Sequence, residues 1–163
     1  MGDLIDEADA ETFTVVLSTP VNANIDSGTG TGRIDDDDDA PAISIADVSQ
    51  AEGNAATSNM VFTVSLSAPS SKQIKVSAAT SLVPGGATAP SDFTMKGPLV
   101  LTFNPGQTSM TFTVAIKGNA LPEPDETFAV VLSSEVNATI ARGTATGTIQ
   151  NDDPGTPVAD PVE

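Results

Sequence analysis

The sequence predicts an all-β protein, an Ig-like antiparallel Greek-key β-sandwich of seven strands. Apolar residues alternate with a period of two through segment after segment, turn signals separate those segments, and no window carries a helical apolar period. The first strand is "AISIAD", from residue 42. In "MVFTVSLS" the residues Phe62, Val64 and Leu66 share one face. In "IKVSAAT" it is Ile74, Val76 and Ala78, and in "LVLTF" it is Leu99, Leu101 and Phe103. "MTFTVAIK" places Met110, Phe112, Val114 and Ile116 together, and "TFAVVLS" does the same for Phe128, Val130 and Leu132. "ATIARGTATGTI" closes the set, with its small residues on a twisted last strand. "AEGN", "LSAPSS", "VPGG" and "NPGQT" are the turns between strands.

An internal repeat sets the domain layout. "ETFTVVLSTPVNANIDSGTGTGRIDDDD", from Glu11, matches "ETFAVVLSSEVNATIARGTATGTIQNDD", from Glu126, at 18 of 28 positions with a constant offset of 115. Upstream, with one extra residue in the first copy, "DLIDEAD" aligns with "NALPEPD". A period this long fits tandem domains rather than a solenoid. Residues 1–39 therefore read as the C-terminal part of a preceding module, 40–153 as a complete sandwich, and 154–163 as a linker or tail. The incomplete part supplies only two strands, and a lone two-stranded ribbon is marginal in water. Phe13, Val15 and Leu17 are expected on an exposed apolar face beside an unpaired edge.

Composition narrows the chemistry. The chain has 163 residues, 6 basic and 22 acidic, for a net charge of −16. That argues against nucleic acid and anionic membranes as partners. No apolar run approaches a bilayer span, so direct membrane insertion is not expected. The acidic start shows no signal peptide, and Asp6 stands where a myristoylation motif wants Ser or Thr. The chain reads as a piece of something longer. Cys, His, Tyr and Trp are absent, which removes thiol chemistry, the commonest general base and the usual transition-metal ligand. Oxygen donors remain, and those suit hard cations such as calcium.

The acids fall in loops that a Greek-key sandwich brings to one end. Glu52 lies in the first turn and Asp92 in "APSDFT". Glu123, Asp125 and Glu126 lie between the fifth and sixth strands, and Asn151, Asp152 and Asp153 follow the last strand. Like charges gathered at one tip are costly without a cation, and this many carboxylates suffice for two or more calcium ions. Each acid taken singly reads as well as a solvated turn residue. The run "RIDDDDDAP" sits where "TIQNDD" sits in the second copy. It is either a solvated hinge or, over Asp36, Asp37 and Asp38, a set of ligands.

The same residues resemble the Calx-beta module. "ISIADVSQAEG", "SDFT", "LTFNPGQTS", "NALPEPDETFAVVLS" and "GTATGTIQNDD" occur in the family's order and at suitable spacing. The resemblance implies an Ig-like sandwich, a calcium site at one tip in several members and its loss in others. By match, the ligands it implies are Glu52, Asp92, Glu123, Glu126, Asp152 and Asp153, completed by Asn119, Asn151 and the backbone carbonyl of Leu121. Asn119 and Asn151 replace the Asp of strong binders, so weaker binding is expected. Asp3, Glu7, Glu11, Asp36, Asp37 and Asp38 match in the incomplete module, where the partners of Glu52 and Asp92 are missing.

The expected function is a calcium-binding structural repeat of a large extracellular or cell-surface protein, with neighbouring repeats of the same array as partners. Calcium would stiffen the loops and the junction in support of adhesion. The alternative is self-association by strand exchange through the incomplete module. No enzymatic activity is expected. Glu123 and Glu126 are paired carboxylates, but the tip has no sugar-stacking aromatics and no nucleophile–base pair.

Overall fold

The computed structural model describes residues 5–8 and 10–155. The expectations for Asp3 and for the tail beyond residue 155 lie outside them. Eleven strands are present among the described residues: β1 Glu11–Val16, β2 Thr29–Ile34, β3 Ala42–Ile45, β4 Val48–Ala51, β5 Thr57–Leu66, β6 Ile74–Ser81, β7 Leu99–Phe103, β8 Ser109–Lys117, β9 Glu126–Val136, β10 Thr139–Arg142 and β11 Thr144–Gln150. β1 and β2 form a ribbon of their own. The other nine build a sandwich of a four-stranded sheet, β10-β3-β5-β8, and a five-stranded sheet, β4-β11-β9-β6-β7.

The alternating residues meet between the sheets. Phe62, Phe93, Phe112 and Phe128 are fully buried, with Ile43, Met60, Val64, Val76, Val114, Ile116 and Val130 around them. Phe93 stacks on Phe128 with ring centroids 4.5 Å apart, and Phe62 meets Phe128 edge-on at 5.9 Å. Both are favourable aromatic geometries. Phe93 comes from the long β6–β7 connection, so that loop is held by its own side chain in the core.

The all-β sandwich agrees with the expectation, and two of its seven strands are more elaborate than the alternation implies. "AISIAD" supplies only β3, and past Ala46-Asp47 the chain crosses to the other sheet as β4, a strand the alternation did not reveal. The last strand divides at Gly143 into β10 and β11. The divided strands pair in parallel, β10 with β3 and β11 with β4, while the other pairings are antiparallel. Each therefore helps to close both sheets, covering edges that would otherwise stand open. Asp47 ties the two crossings together: its Oδ1 accepts from Arg142 Nη2 at 2.6 Å and from the Thr146 N–H at 2.7 Å. These partners, the Arg142 bond first, hold its carboxyl below the usual range.

Candidate metal centre

The parallel pairing of β4 with β11 places the first turn beside the chain's last acids. Gln150 lies opposite Ala51, and the Glu52 N–H donates to the Gln150 carbonyl at 3.0 Å. Glu52 thus begins where Asn151, Asp152 and Asp153 begin. The β8–β9 loop closes on this pair. Gly118 donates its N–H to the Ala56 carbonyl at 3.0 Å, and a Cβ on Gly118 would lie 1.8 Å from the Gly53 carbonyl oxygen. Only glycine permits that approach. Gly53, at φ +81°, turns the chain back above the site.

Here the side chains interlock. Glu52 and Asp153 are buried, at 6% and 7% exposure, in a chain whose acids are otherwise mostly wet. The Asn119 amide stands between two carboxylates, donating to Glu52 Oε2 at 3.2 Å and to Glu123 Oε2 at 3.0 Å. The Gly53 N–H donates to Asp152 Oδ1 at 3.0 Å, and the Asn54 amide donates to Asp153 Oδ1. Burial pushes the Glu52 carboxyl up to about 7, helped by the charges of Glu123, Asp153, Asp152 and Asp92 in that order. Of the acids expected at one tip, Glu123, Asp153, Asp152 and Asp92 are therefore close enough to repel Glu52.

The other expected ligands are arranged less uniformly. Asp92 sits at the margin, its Oδ2 accepting from the Thr88 N–H at 2.6 Å and from the Thr88 hydroxyl at 2.9 Å. The amide oxygens of Asn119 and Asn151 are engaged by backbone, accepting from Leu121 N–H at 2.6 Å and Glu123 N–H at 3.1 Å. Leu121 is exposed on the loop. Glu126 opens β9 opposite Ile149 and is half-buried. Asp36, Asp37 and Asp38 follow the ribbon, and none of them is among the charges that raise Glu52. Asp36 Oδ2 accepts from the Glu7 N–H at 3.0 Å.

Two observations bear on whether a cation fits. Among the described residues, no three carboxylates already surround one point in ligating positions. Yet Asp153 Oδ2 is buried and has no hydrogen-bond partner. A buried carboxylate oxygen left unpaired is expensive, and it sits beside a second buried carboxylate of raised pKa. Crowded anionic oxygens, one of them buried without a hydrogen-bond partner, suit a hard cation. The Asn119 amide fills the place between Glu52 and Glu123 that a cation would otherwise take.

Sequence reasoning missed the residues that steady the acids. Asn54 and Gly53 hold Asp153 and Asp152, Thr88 holds Asp92, and Gly118 admits the loop. The "GN" in "AEGN" was legible only as a turn. Thr88, four residues before Asp92, is a local side-chain staple that a turn search would find.

Comparison with known proteins agrees with this architecture. The chain resembles the structure of the apo-form Calx CBD1 domain, with a TM-score of 0.61 and 20% identity, over 71% of this chain and all of that one. The Calx CBD2 domain gives 0.56 and 12% over 68% of this chain and 86% of that one. CBD12 from CALX1.2 gives 0.59 and 21%, with 69% of this chain covering 45% of that one. No curated protein sequence matches the chain. The family model for the Calx-beta domain matches residues 36–153, which span the whole sandwich and every acid at its tip. A sandwich closed by two divided strands, with its acids collected where those strands end, is thus a Calx-beta domain, and the chain belongs to that calcium-binding family.

Proposed function

We propose that the protein is a calcium-binding structural repeat of a large extracellular or cell-surface protein, in which the bound cation stiffens the tip and the junction between modules to support adhesion. The orphaned Asp153 Oδ2, buried beside Glu52, carries this reading. Glu52, Glu123, Asp152 and Asp153 would hold the ion, with Asp92 and Glu126 at the margin. Bound there, calcium supplies positive charge that offsets the repulsion among these carboxylates. The chain's own contribution is to bring four loops together through Gly118, Asn119 and the β4–β11 pairing. Membership of a calcium-binding rather than a catalytic family also supports a non-enzymatic role.

A thermal melt in millimolar calcium and again in excess chelator tests the proposal. At 100 times the dissociation constant the ion adds about 2.7 kcal/mol, so the melting temperature should rise by several degrees. Magnesium should not reproduce the rise, and Asp153→Asn should abolish it. An unchanged melt would sink the calcium reading.

A second reading is self-association. It is favoured by the exposure of Phe13, Val15 and Leu17, each more than half accessible on the ribbon. Strand exchange through that ribbon predicts elution above monomer mass that falls back on Phe13→Ser. Elution at monomer mass counts against it.

A further inference from the structure

Among the described residues, Asp6 behaves unlike the other acids outside the tip. It is 4% exposed, although it precedes a ribbon whose strands are exposed almost throughout. It reaches instead into the loop between β5 and β6. Asp6 Oδ1 accepts from Lys72 Nζ at 2.8 Å, and Oδ2 accepts from the Ser70 hydroxyl at 2.8 Å. Its backbone carbonyl accepts from the Ser71 N–H at 2.9 Å and from the Ser70 hydroxyl at 3.0 Å. Backbone and side chain are both captured, and Asp6 and Ser70 pair as a short parallel bridge.

The receiving loop is built rigidly. Ser70 is 2% exposed, its carbonyl accepts from the Gly106 N–H of the β7–β8 turn at 3.0 Å, and its hydroxyl accepts from the Lys72 N–H at 3.0 Å. The inserted stretch is also anchored behind, because the Glu7 N–H donates to Asp36 Oδ2 beyond β2. Fixing Asp6 therefore fixes the ribbon.

We propose that Ser70, Ser71 and Lys72 form a socket for the tip loop of a neighbouring module, and that a carboxylate at the position of Asp6 is what the socket recognises. The partner is a β8–β9-type loop that offers an acid and its adjacent carbonyl. The β8–β9 loop of the sandwich itself has Pro122 at the aligned position, so by this rule that loop would not enter such a socket. A buried carboxylate stripped of its ammonium partner is strongly unfavourable, so the joint is sensitive to charge. This inference rests on reading residues 1–39 as part of a neighbouring module, and it does not require calcium.

The test uses the full chain in excess chelator, which separates it from the calcium reading. Amide ¹⁵N relaxation reports whether ribbon and sandwich tumble together, and a protease that cuts at Asp reports access to residues 35–39. In the unaltered chain the ribbon should share the sandwich's correlation time. Lys72→Glu and Asp6→Ala should each release it and speed cleavage by at least tenfold, while the sandwich keeps its melting temperature. Asp6→Lys combined with Lys72→Asp should restore the slow rate. Independent tumbling in the unaltered chain, or unchanged tumbling in Asp6→Ala, would overturn the proposal.

Discussion

The ribbon and the β9–β11 pair of the sandwich are nearly the same structure in two different surroundings. Phe13 lies opposite Gly32 as Phe128 lies opposite Gly147, and all six residue pairs of the ribbon recur 115 residues later. Leu17 N–H donates to the Gly28 carbonyl at 2.8 Å, and Leu132 N–H donates to that of Gly143 at 2.7 Å. Even the left-handed residues correspond, Thr19 with Ser134 and Asn22 with Asn137. What differs is what lies above. Phe13, Val15 and Leu17 are 52%, 53% and 60% exposed, whereas Phe128, Val130 and Leu132 are at 0%, 0% and 5%. Pairing, register and turn geometry are thus local properties of this stretch, while burial depends on the β3-β5-β8 sheet that covers one copy only.

The sharpest way to break the comparison is to remove the matched aromatic from each copy. Phe128→Ala should cost about 3–5 kcal/mol in denaturant unfolding, because it empties a site shared with Phe62 and Phe93. Phe13→Ala should change the same midpoint by less than about 0.5 kcal/mol, as expected of an exposed position. Equal effects would mean that the ribbon is buried after all.

The matched glycines give a smaller contrast. A Cβ on Gly147 would sit 2.6 Å from the Phe128 ring and 2.9 Å from the Phe62 ring, both locked in the core. Gly147→Ala should cost about 1–3 kcal/mol by overpacking. Gly32 faces only the Phe13 ring in the same way, and that ring is free to swing into water, so Gly32→Ala should cost only a few tenths.

The tip supplies the third contrast. The Glu52 carboxyl is raised from 4.5 to about 7, so the folded state binds a proton there more tightly than the unfolded chain does. Stability from this group is fully present below about pH 4.5 and is lost as pH rises toward 7. In chelator, the unfolding free energy from urea titrations should therefore fall over that window, by about 1–2 kcal/mol given partial screening by water. Glu52→Gln should flatten the slope.

Much of this architecture was readable along the chain because its signals are short-range. Alternation places Phe62, Val64 and Leu66 on one face whatever lies nearby, since successive side chains in an extended chain point to opposite sides. The repeat showed where one copy lacks its covering strands. The acids' loops were legible as well, because turn residues mark them and a Greek key sends those loops to one end. The divided first and last strands were not legible. Nothing in "AISIADVSQA" distinguishes one strand from two, because the division is set by pairing with β10 and β11, about 100 residues away.

By itself the sequence determined which segments extend, most of the residues that face inward (Leu99, expected inside, is 42% exposed, and buried Phe93 lies outside the alternation), how the hairpin of each copy registers, and that only oxygen chemistry was available. Tertiary structure decided the rest. Residues 139–142 form β10 against β3, while the matching residues 24–27 form no strand, because they have no such partner. Asp6 and Pro122 occupy aligned positions, yet only the carboxylate meets a lysine 66 residues away. Glu52 becomes a weak acid only where β4 lies against β11 and loops separated by up to 99 residues close over it. Pairing and patterning depend on neighbours in the chain, whereas burial, charge coupling and cation fit depend on which distant groups displace water.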